Sequence, residues 1–421
     1  MTLPRKTTLF LGNFCFFLII LPTLQACTKS KIEWTEPAVY QHYTDSTKKY
    51  VPRFKGKLKN ILFTAMDRDR YSDLILIRED GDNKNQILTF LWKKGKGFIP
   101  YLRNGLDRFP KINVERLIDG DFNLDGKRDL ILLGKIKGES AARYLLNNGK
   151  GYFYNPKRHF PSVHNGIENG VALDLDSDGD QDILFFGRLL KNKKNNLLGS
   201  HAQLMLNNGK GEFEDVTQML LPPLRKGIIG ISIADYDGDL NPDIFWINGN
   251  GSNVLWINNG LGKFVDQSRG RLPKINAKYT SADWADFDMD GDNDLLVTTH
   301  GIARRNQAFR GEFCFFLEND GKARFRKRSL KLLPKFPSGR VYILDADGNN
   351  SPDILILSRK KVYYYIGVEP WTFSDETVKR LPYGMPFDEF TFGDINGDRL
   401  LDIFGILSKN KKGRLWVDKL N

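Results

Sequence analysis

The sequence predicts an all-β protein, a seven-bladed β-propeller of four-stranded blades with calcium-binding loops. Three observations lead there. An aspartate-rich nonapeptide returns seven times at intervals of 49 to 61 residues. A strand-like segment stands on either side of each copy, and an Asn-Gly hairpin signature follows most of them. Four strands repeated at about this period describe a propeller blade.

The nonapeptide is complete in three places: Asp121, Asn123, Asp125 and Asp129; Asp174, Asp176, Asp178 and Asp182; and Asp286, Asp288, Asp290 and Asp294. In each, glycine stands at position 6. Three further copies keep most of the pattern: Asp235, Asp237, Asp239 and Asp243; Asp345, Asp347, Asn349 and Asp353; Asp394, Asn396, Asp398 and Asp402. The first copy, Asp67, Asp69 and Asp73, is the most eroded, with Ala65 at position 1 and Arg70 at position 6. Side-chain oxygens at positions 1, 3 and 5 of a tight loop converge on one point, and a later carboxylate closes the shell around a hard cation. Calcium suits such a flexible, all-oxygen loop better than magnesium, which demands near-octahedral geometry. In the first copy Arg68 and Arg70 are placed to supply the positive charge instead.

The strands follow from the flanks. Gly170–Leu173 and Gly230–Ala234 precede their loops with short alternating segments, while Ile183-Leu184-Phe185-Phe186 and Leu295-Leu296-Val297 follow theirs as apolar runs. The hairpin signature is Leu146-Asn147-Asn148-Gly149 ending at Phe153, Leu206-Asn207-Asn208-Gly209 ending at Phe213, and Ile257-Asn258-Asn259-Gly260 ending at Phe264, with weaker copies ending at Phe98, Phe325 and Phe373. Asn-Gly supplies the positive φ such a turn needs. The last repeat stops at Asn421 before a fourth strand, so the segment between Ile32 and Lys55 is expected to supply it and leave no open sheet edge.

At these residues the chain resembles the FG-GAP and VCBS repeat proteins, bacterial relatives of the integrin α-subunit propeller, over about residues 58–421. The resemblance implies that the matching aspartates bind calcium and hold each blade together, and that the domain serves adhesion or the binding of carbohydrate or protein. Ala65, Arg70, Leu240, Asn350 and Arg399 depart from the family's loop.

The N-terminus reads as an export signal. Arg5 and Lys6 precede an apolar run from Leu9 to Leu21, and Leu24-Gln25-Ala26-Cys27 resembles the lipobox of bacterial lipoproteins. The run of 13 residues is short for a spanning helix, which needs roughly 20. Residues 1–26 are expected to be the lipoprotein signal peptide, Cys27 the lipid-modified anchor, 27–57 an N-terminal segment contributing the ring-closing strand, and 58–421 the propeller. The expected location is extracytoplasmic and lipid-anchored, at the outer membrane or cell surface. Cys15 leaves with the leader and Cys314 stands alone, so no intrachain disulfide is available.

Charge gives one further lead. The nonapeptides hold 26 of the 51 acidic residues and five basic ones, and without Arg5 and Lys6 everything else carries 56 basic against 25 acidic residues. Loops between strands 2 and 3 lie on the face opposite the aspartate loops and include Arg188, Lys191, Lys193 and Lys194, then Arg304 and Arg305. That face is expected to attract an anionic polysaccharide, an envelope component or a protein partner, and nucleic acid is not expected. The five histidines show no zinc-ligand spacing and no nucleophile motif occurs, which points to binding over catalysis. The alternative is a polysaccharide-active, lyase-like enzyme on the same propeller. The one cluster worth examining for chemistry is His300 with Arg304 and Arg305.

Overall fold

The computed structural model describes residues 43–418 apart from 54–55, 80–84, 110–111, 158, 188–189, 192–196, 200–201, 225–226, 250–251, 303–312, 329–337, 359–360, 382–386 and 399. Its strands form seven four-stranded antiparallel sheets and a small two-stranded ribbon, Leu190–Lys191 with Leu197–Gly199. Blade 1 runs Lys57–Thr64, Asp73–Glu79, Asn85–Lys93 and Gly97–Pro100; blade 4 runs Ile228–Ala234, Asp243–Asn248, Val254–Asn258 and Phe264–Asp266. Blades 2, 3, 5 and 6 begin at Asn113, Ile167, Ala277 and Arg340 and follow the same order. Blade 7 takes Phe387–Gly393, Asp402–Leu407 and Gly413–Asp418 from the C-terminal repeat, and its fourth strand is Tyr43–Asp45. Among the described residues no helix is long and apolar enough to cross a membrane.

Burial on both faces explains the apolar runs. Ile183, Leu184, Phe185 and Phe186 of blade 3's second strand are all buried, because each face of a blade packs on a neighbour. The core accordingly divides into seven clusters, one for every pair of adjacent blades. The blade 7–blade 1 pair has its own, with Phe404, Leu415 and Val417 against Leu58, Phe63, Leu74 and Trp92. The ring is therefore closed.

The end of each blade shows why residues 43–51 can complete blade 7. In blades 3, 4 and 6 the fourth strand ends in Asp-x-Thr/Ser, followed by a short turn that is helical in blades 3 and 6: Asp215 and Thr217, Asp266 and Ser268, Asp375 and Thr377. The aspartate accepts the N–H two residues on, at 3.0–3.1 Å, and the hydroxyl accepts an N–H from strand 3, as Leu204 N does at 2.9 Å from Thr217 Oγ1. Asp45 and Thr47 repeat this geometry against the C-terminal strand, with Leu415 N donating to Thr47 Oγ1 at 2.9 Å. Tyr43 takes the place of the aromatic residue and its hydroxyl donates to Leu401 O at 3.1 Å.

The inner strands also meet across the axis. Glu389 of blade 7 accepts from Asn60 of blade 1 at 3.0 Å and lies 4.0 Å from the guanidinium of Arg116 in blade 2. Arg116 in turn donates to Asn169 of blade 3 at 3.1 Å.

Candidate functional site

Each nonapeptide joins strands 1 and 2 of its blade, and in blades 2 to 7 it folds as a loop wrapped around its first aspartate. In blade 5, Asp286 accepts from Asp290 N and Gly291 N at 3.1 and 3.0 Å; in blade 4, Asp235 accepts from Gly238 N, Asp239 N and Leu240 N. The loop needs positive φ at two places, positions 4 and 6. Ser177 and Gly179 have φ of 63° and 94°, Gly238 and Leu240 78° and 71°, Gly348 and Asn350 75° and 62°. A glycine at either place relieves half of the strain, so Leu240 and Asn350 keep the loop because its glycine has moved to position 4.

The aspartate at position 9 is fully buried in blades 1 to 7 and ties the loop to the sheet. Asp182 accepts from Leu175 N at 2.8 Å and Asn207 N at 2.9 Å, and Asp243, Asp294, Asp353 and Asp402 bridge the same two places. Burial raises the carboxyls of Asp182, Asp243, Asp294 and Asp402 to about 8, against the lowering by those N–H donors.

Four blades bring carboxylates together. Asp174, Asp176 and Asp182; Asp235, Asp237 and Asp239; Asp286, Asp288 and Asp290; and Asp345, Asp347 and Asp353 each present oxygens within 4.8 Å of one another. Several of these oxygens are buried without a hydrogen-bond donor: one each on Asp174, Asp176, Asp237 and Asp288. A buried carboxylate oxygen lacking a donor is costly unless a cation satisfies it, and a set of them converging on one point fits a metal ion with oxygen ligands. Asp180 and Asp292, at position 7, each carry such an orphaned oxygen as well, and burial together with the neighbouring aspartates raises both to about 6. Reading positions 1, 3, 5 and 9 alone passes over them. The signal was the unbroken alternation of aspartate in Asp174–Asp182 and Asp286–Asp294.

The loops of blades 1, 2 and 7 differ, and that of blade 6 carries contacts of its own. In blade 2, Asp121, Asn123, Asp125 and Asp129 are in place, but Lys127 Nζ lies 2.6 Å from Asp125 Oδ2. In blade 7, Asp394 accepts from Gly397 N and Asp398 N, and Asn396 from Asp398 N. In blade 6, Asn349 turns its amide nitrogen to Gly367 O at 3.2 Å, while Arg380 reaches Asp347 at 3.3 Å. In blade 1 the expected charge replacement by Arg68 and Arg70 is corrected: Arg70 donates to the Tyr71 hydroxyl, and it is Lys93, from the end of strand 3, whose ammonium contacts Asp67 and Asp69. Burial alone would lower the Lys93 ammonium; the two carboxylates outweigh it and hold it above its ordinary value.

Of the residues placed on the opposite face, Arg188, Lys193, Lys194, Arg304 and Arg305 lie outside the described residues, as does Cys27, and of Lys191 only the backbone is described. Four described basic residues toward that face are paired: Lys59 with Glu79, Lys135 with Glu115, Lys411 with Asp388 and Arg414 with Asp45. His300 is exposed and its Nδ1 lies 2.8 Å from Ser338 Oγ, a hydrogen bond between neighbouring blades. Cys314 is half-buried and packs against the blade 5–blade 6 core.

Solved structures of similar fold include a lectin of Agrocybe aegerita with specific recognition of non-reducing terminal N-acetylglucosamine, at 18% identity and a TM-score of 0.51 over 84% of this chain and 85% of that one. Another is BBS1N in complex with ARL6DN, at 12% identity and a TM-score of 0.52 over 90% of this chain and 97% of that one. No curated protein gives a significant match. The FG-GAP-like repeat family model matches residues 121–185, 195–246, 235–297 and 345–405, more than half of the chain. Seven blades of the same build, with aspartate loops inside every matched stretch, agree with that match, and the chain belongs to the FG-GAP-like repeat family of β-propellers.

Proposed function

We propose that this protein is a calcium-stabilised, extracytoplasmic binding or adhesion lipoprotein. Cys27 would carry the lipid and hold the propeller at the outer membrane or cell surface. The observation that carries the reading is the convergence of donor-less, buried carboxylate oxygens in blades 3 to 5, with a further carboxylate set in blade 6. Their residues would be the calcium ligands: positions 1 and 3 with position 5 or 9, joined in blades 3 and 5 by Asp180 and Asp292. An ion there fixes the loops on one face and leaves the other for a partner.

That partner is proposed to be anionic, a polysaccharide or other envelope component, or a protein. The excess of basic residues outside the aspartate loops supports this reading, and Arg188, Lys191, Lys193 and Lys194 cluster between strands 2 and 3 of blade 3. Two proteins of similar fold have a terminal sugar and a protein as their partners, so both classes are within the fold's range.

The first test is thermal unfolding of the purified protein with calcium and with a chelator, with bound calcium counted. A ligand held by the folded state alone raises Tm by mass action. Several ions and a large upward shift are expected; no ion and no shift would remove the calcium reading. For the partner, retention on an immobilised polyuronate should fall as salt rises, and neutralising Arg188, Lys191, Lys193 and Lys194 together should weaken it and flatten that dependence. Retention unchanged by the substitutions would reject this loop as the contact.

A further inference from the structure

Blade 1 lacks most of what the metal loops share, and what it has instead forms a coherent set. Ala65 removes the position 1 carboxylate, and Arg70 replaces the glycine of position 6. Neither Arg68 nor Arg70, at positions 4 and 6, adopts the positive φ found in the other loops. Yet Asp67 and Asp69, at positions 3 and 5, are retained. Asp73 still bridges loop and sheet, accepting from Met66 N and Trp92 N, both at 2.8 Å.

Between those two retained carboxylates stands an ammonium. Lys93 Nζ is 2.7 Å from Asp67 Oδ2 and 3.0 Å from Asp69 Oδ2. Lys127 and Arg380, by contrast, each touch a single loop carboxylate. The position of Lys93 in its repeat is informative. Trp92 and Lys93 occupy the places of Asn147 and Asn148, six and five residues before the aromatic that ends the hairpin. In blades 2, 3 and 4 the residue there is Asn148, Asn208 or Asn259, whose side chain accepts N–H groups of its own turn. A lysine at the same place has the reach and the charge to leave the turn and enter the loop. A compact ammonium with three donors can satisfy carboxylates that would otherwise face a cation.

We infer that Lys93 is the built-in cation of the first loop, so that blade 1, beside the blade where the two ends of the chain meet, is fastened without a metal ion. The inference rests on the reading of the intact loops as metal sites, and it adds that the ring is fastened in two ways. Blade 1 keeps its loop at any calcium concentration, while the blades with convergent carboxylates depend on calcium from their surroundings.

The test counts calcium ions by native mass spectrometry of the purified protein and follows Tm with calcium and with a chelator. Replacing both retained carboxylates, Asp67→Asn with Asp69→Asn, should leave the ion count of the parent unchanged; loss of one ion would overturn the inference. Lys93→Met, which keeps the alkyl stem, should lower Tm by about 2 °C, equally in both conditions and with the count unchanged. The combination Ala65→Asp, Arg70→Gly and Lys93→Ser restores the loop and should bind one ion more than the parent, with the gain in Tm present only in calcium. Failure to gain an ion would overturn the claim that the ammonium stands where an ion would. A parent that binds no calcium would remove the metal reading alone; Lys93 is then judged by Lys93→Met in chelator, where an unchanged Tm would overturn its role.

Discussion

Blades 2 to 5 and the group formed by blades 6, 7 and 1 are joined to their neighbours by different chemistry. In the first group one buried asparagine fastens each seam. Asn147, Asn207, Asn258 and Asn319 donate through Nδ2 to the position 2 carbonyl of the preceding blade's loop, at Met66, Phe122, Leu175 and Tyr236, over 2.7–2.9 Å. The same nitrogen donates to the position 8 carbonyl of its own loop, at 3.0–3.2 Å. In the second group the equivalent residues are Gly367, Asp418 and Trp92. Trp92 packs on Phe98 and Tyr50, with ring centroids 4.9 and 5.1 Å apart, and Trp371 of blade 6 lies 5.9 Å from Phe287 of blade 5. A seam can thus be set by a buried amide, which fixes register through two hydrogen bonds, or by an aromatic wedge, which fills space. The backbone link survives either change, since Gly151 N donates to Met66 O at 2.9 Å and Trp371 N to Phe287 O at 3.0 Å.

The largest expected effect is that of calcium removal, and it should divide the ring unevenly. With the chelator, hydrogen exchange of loop and strand amides should rise most in blades 3 to 5, where orphaned carboxylate oxygens lose their cation, and least in blade 1, where Lys93 remains. Equal acceleration around the ring would break the distinction.

The seams come next. Asn258→Ala leaves Leu175 O and Pro242 O without their donor in a site 2% exposed, and a cost of about 2–3 kcal/mol is expected from denaturant unfolding. Trp92→Phe should cost less, about 1 kcal/mol, because the buried indole nitrogen has no partner to lose and the ring is replaced by another. Equal losses would mean that the amide acts only by filling space.

How much of this the sequence shows depends on whether a residue's partner is local. The blades, the aspartate loops and the hairpins were legible because each is a short repeat whose chemistry lies within nine residues. The fourth strand of blade 7 was also written in the chain: Tyr43-Thr44-Asp45-Ser46-Thr47 runs parallel to Phe264-Val265-Asp266-Gln267-Ser268, and both continue five residues later to a proline, Pro52 and Pro273. Asn258 was visible as a turn residue, but its bond to Leu175 spans 83 positions, and nothing in a turn motif tells of it. Lys93 was hidden for the same reason, 26 positions from Asp67. Aligning the six hairpins with one another, in place of reading each as a turn, would have exposed a lysine where three of the others carry an asparagine.

The seam between blades 5 and 6 is the point where the two modes meet, and it holds a buried acid. Asp283 accepts from Ile343 N of blade 6 at 2.9 Å and from Trp284 N at 3.0 Å, and burial raises its carboxyl to about 8. The acid therefore binds its proton more tightly in the folded than in the unfolded chain, where the value is about 4. Its stabilising contribution is full below that lower value and is lost as pH rises toward 8, at up to about 1.4 kcal/mol per pH unit. Asp283→Asn should flatten the fall of stability between pH 5 and 8; an unchanged slope would show that the carboxyl is already ionised at the seam.

The smallest effect tests the loops themselves. Leu240 holds φ of 71° with its side chain 68% exposed, so it keeps the left-handed conformation without any packing in return. Left-handed backbone costs a branched residue about 1–2 kcal/mol, and glycine's greater freedom in the unfolded chain cancels about 0.5–1 of that. Leu240→Gly should accordingly raise stability by roughly 0.5 kcal/mol in calcium, measured by urea unfolding. The matching change in blade 1, Arg70→Gly, should lower it, because Arg70 has no left-handed strain to relieve and its contact with Tyr71 is lost. Opposite signs at the same position of two repeats would show that the first loop follows a different path; a gain at both would mean that it is an ordinary member of the set.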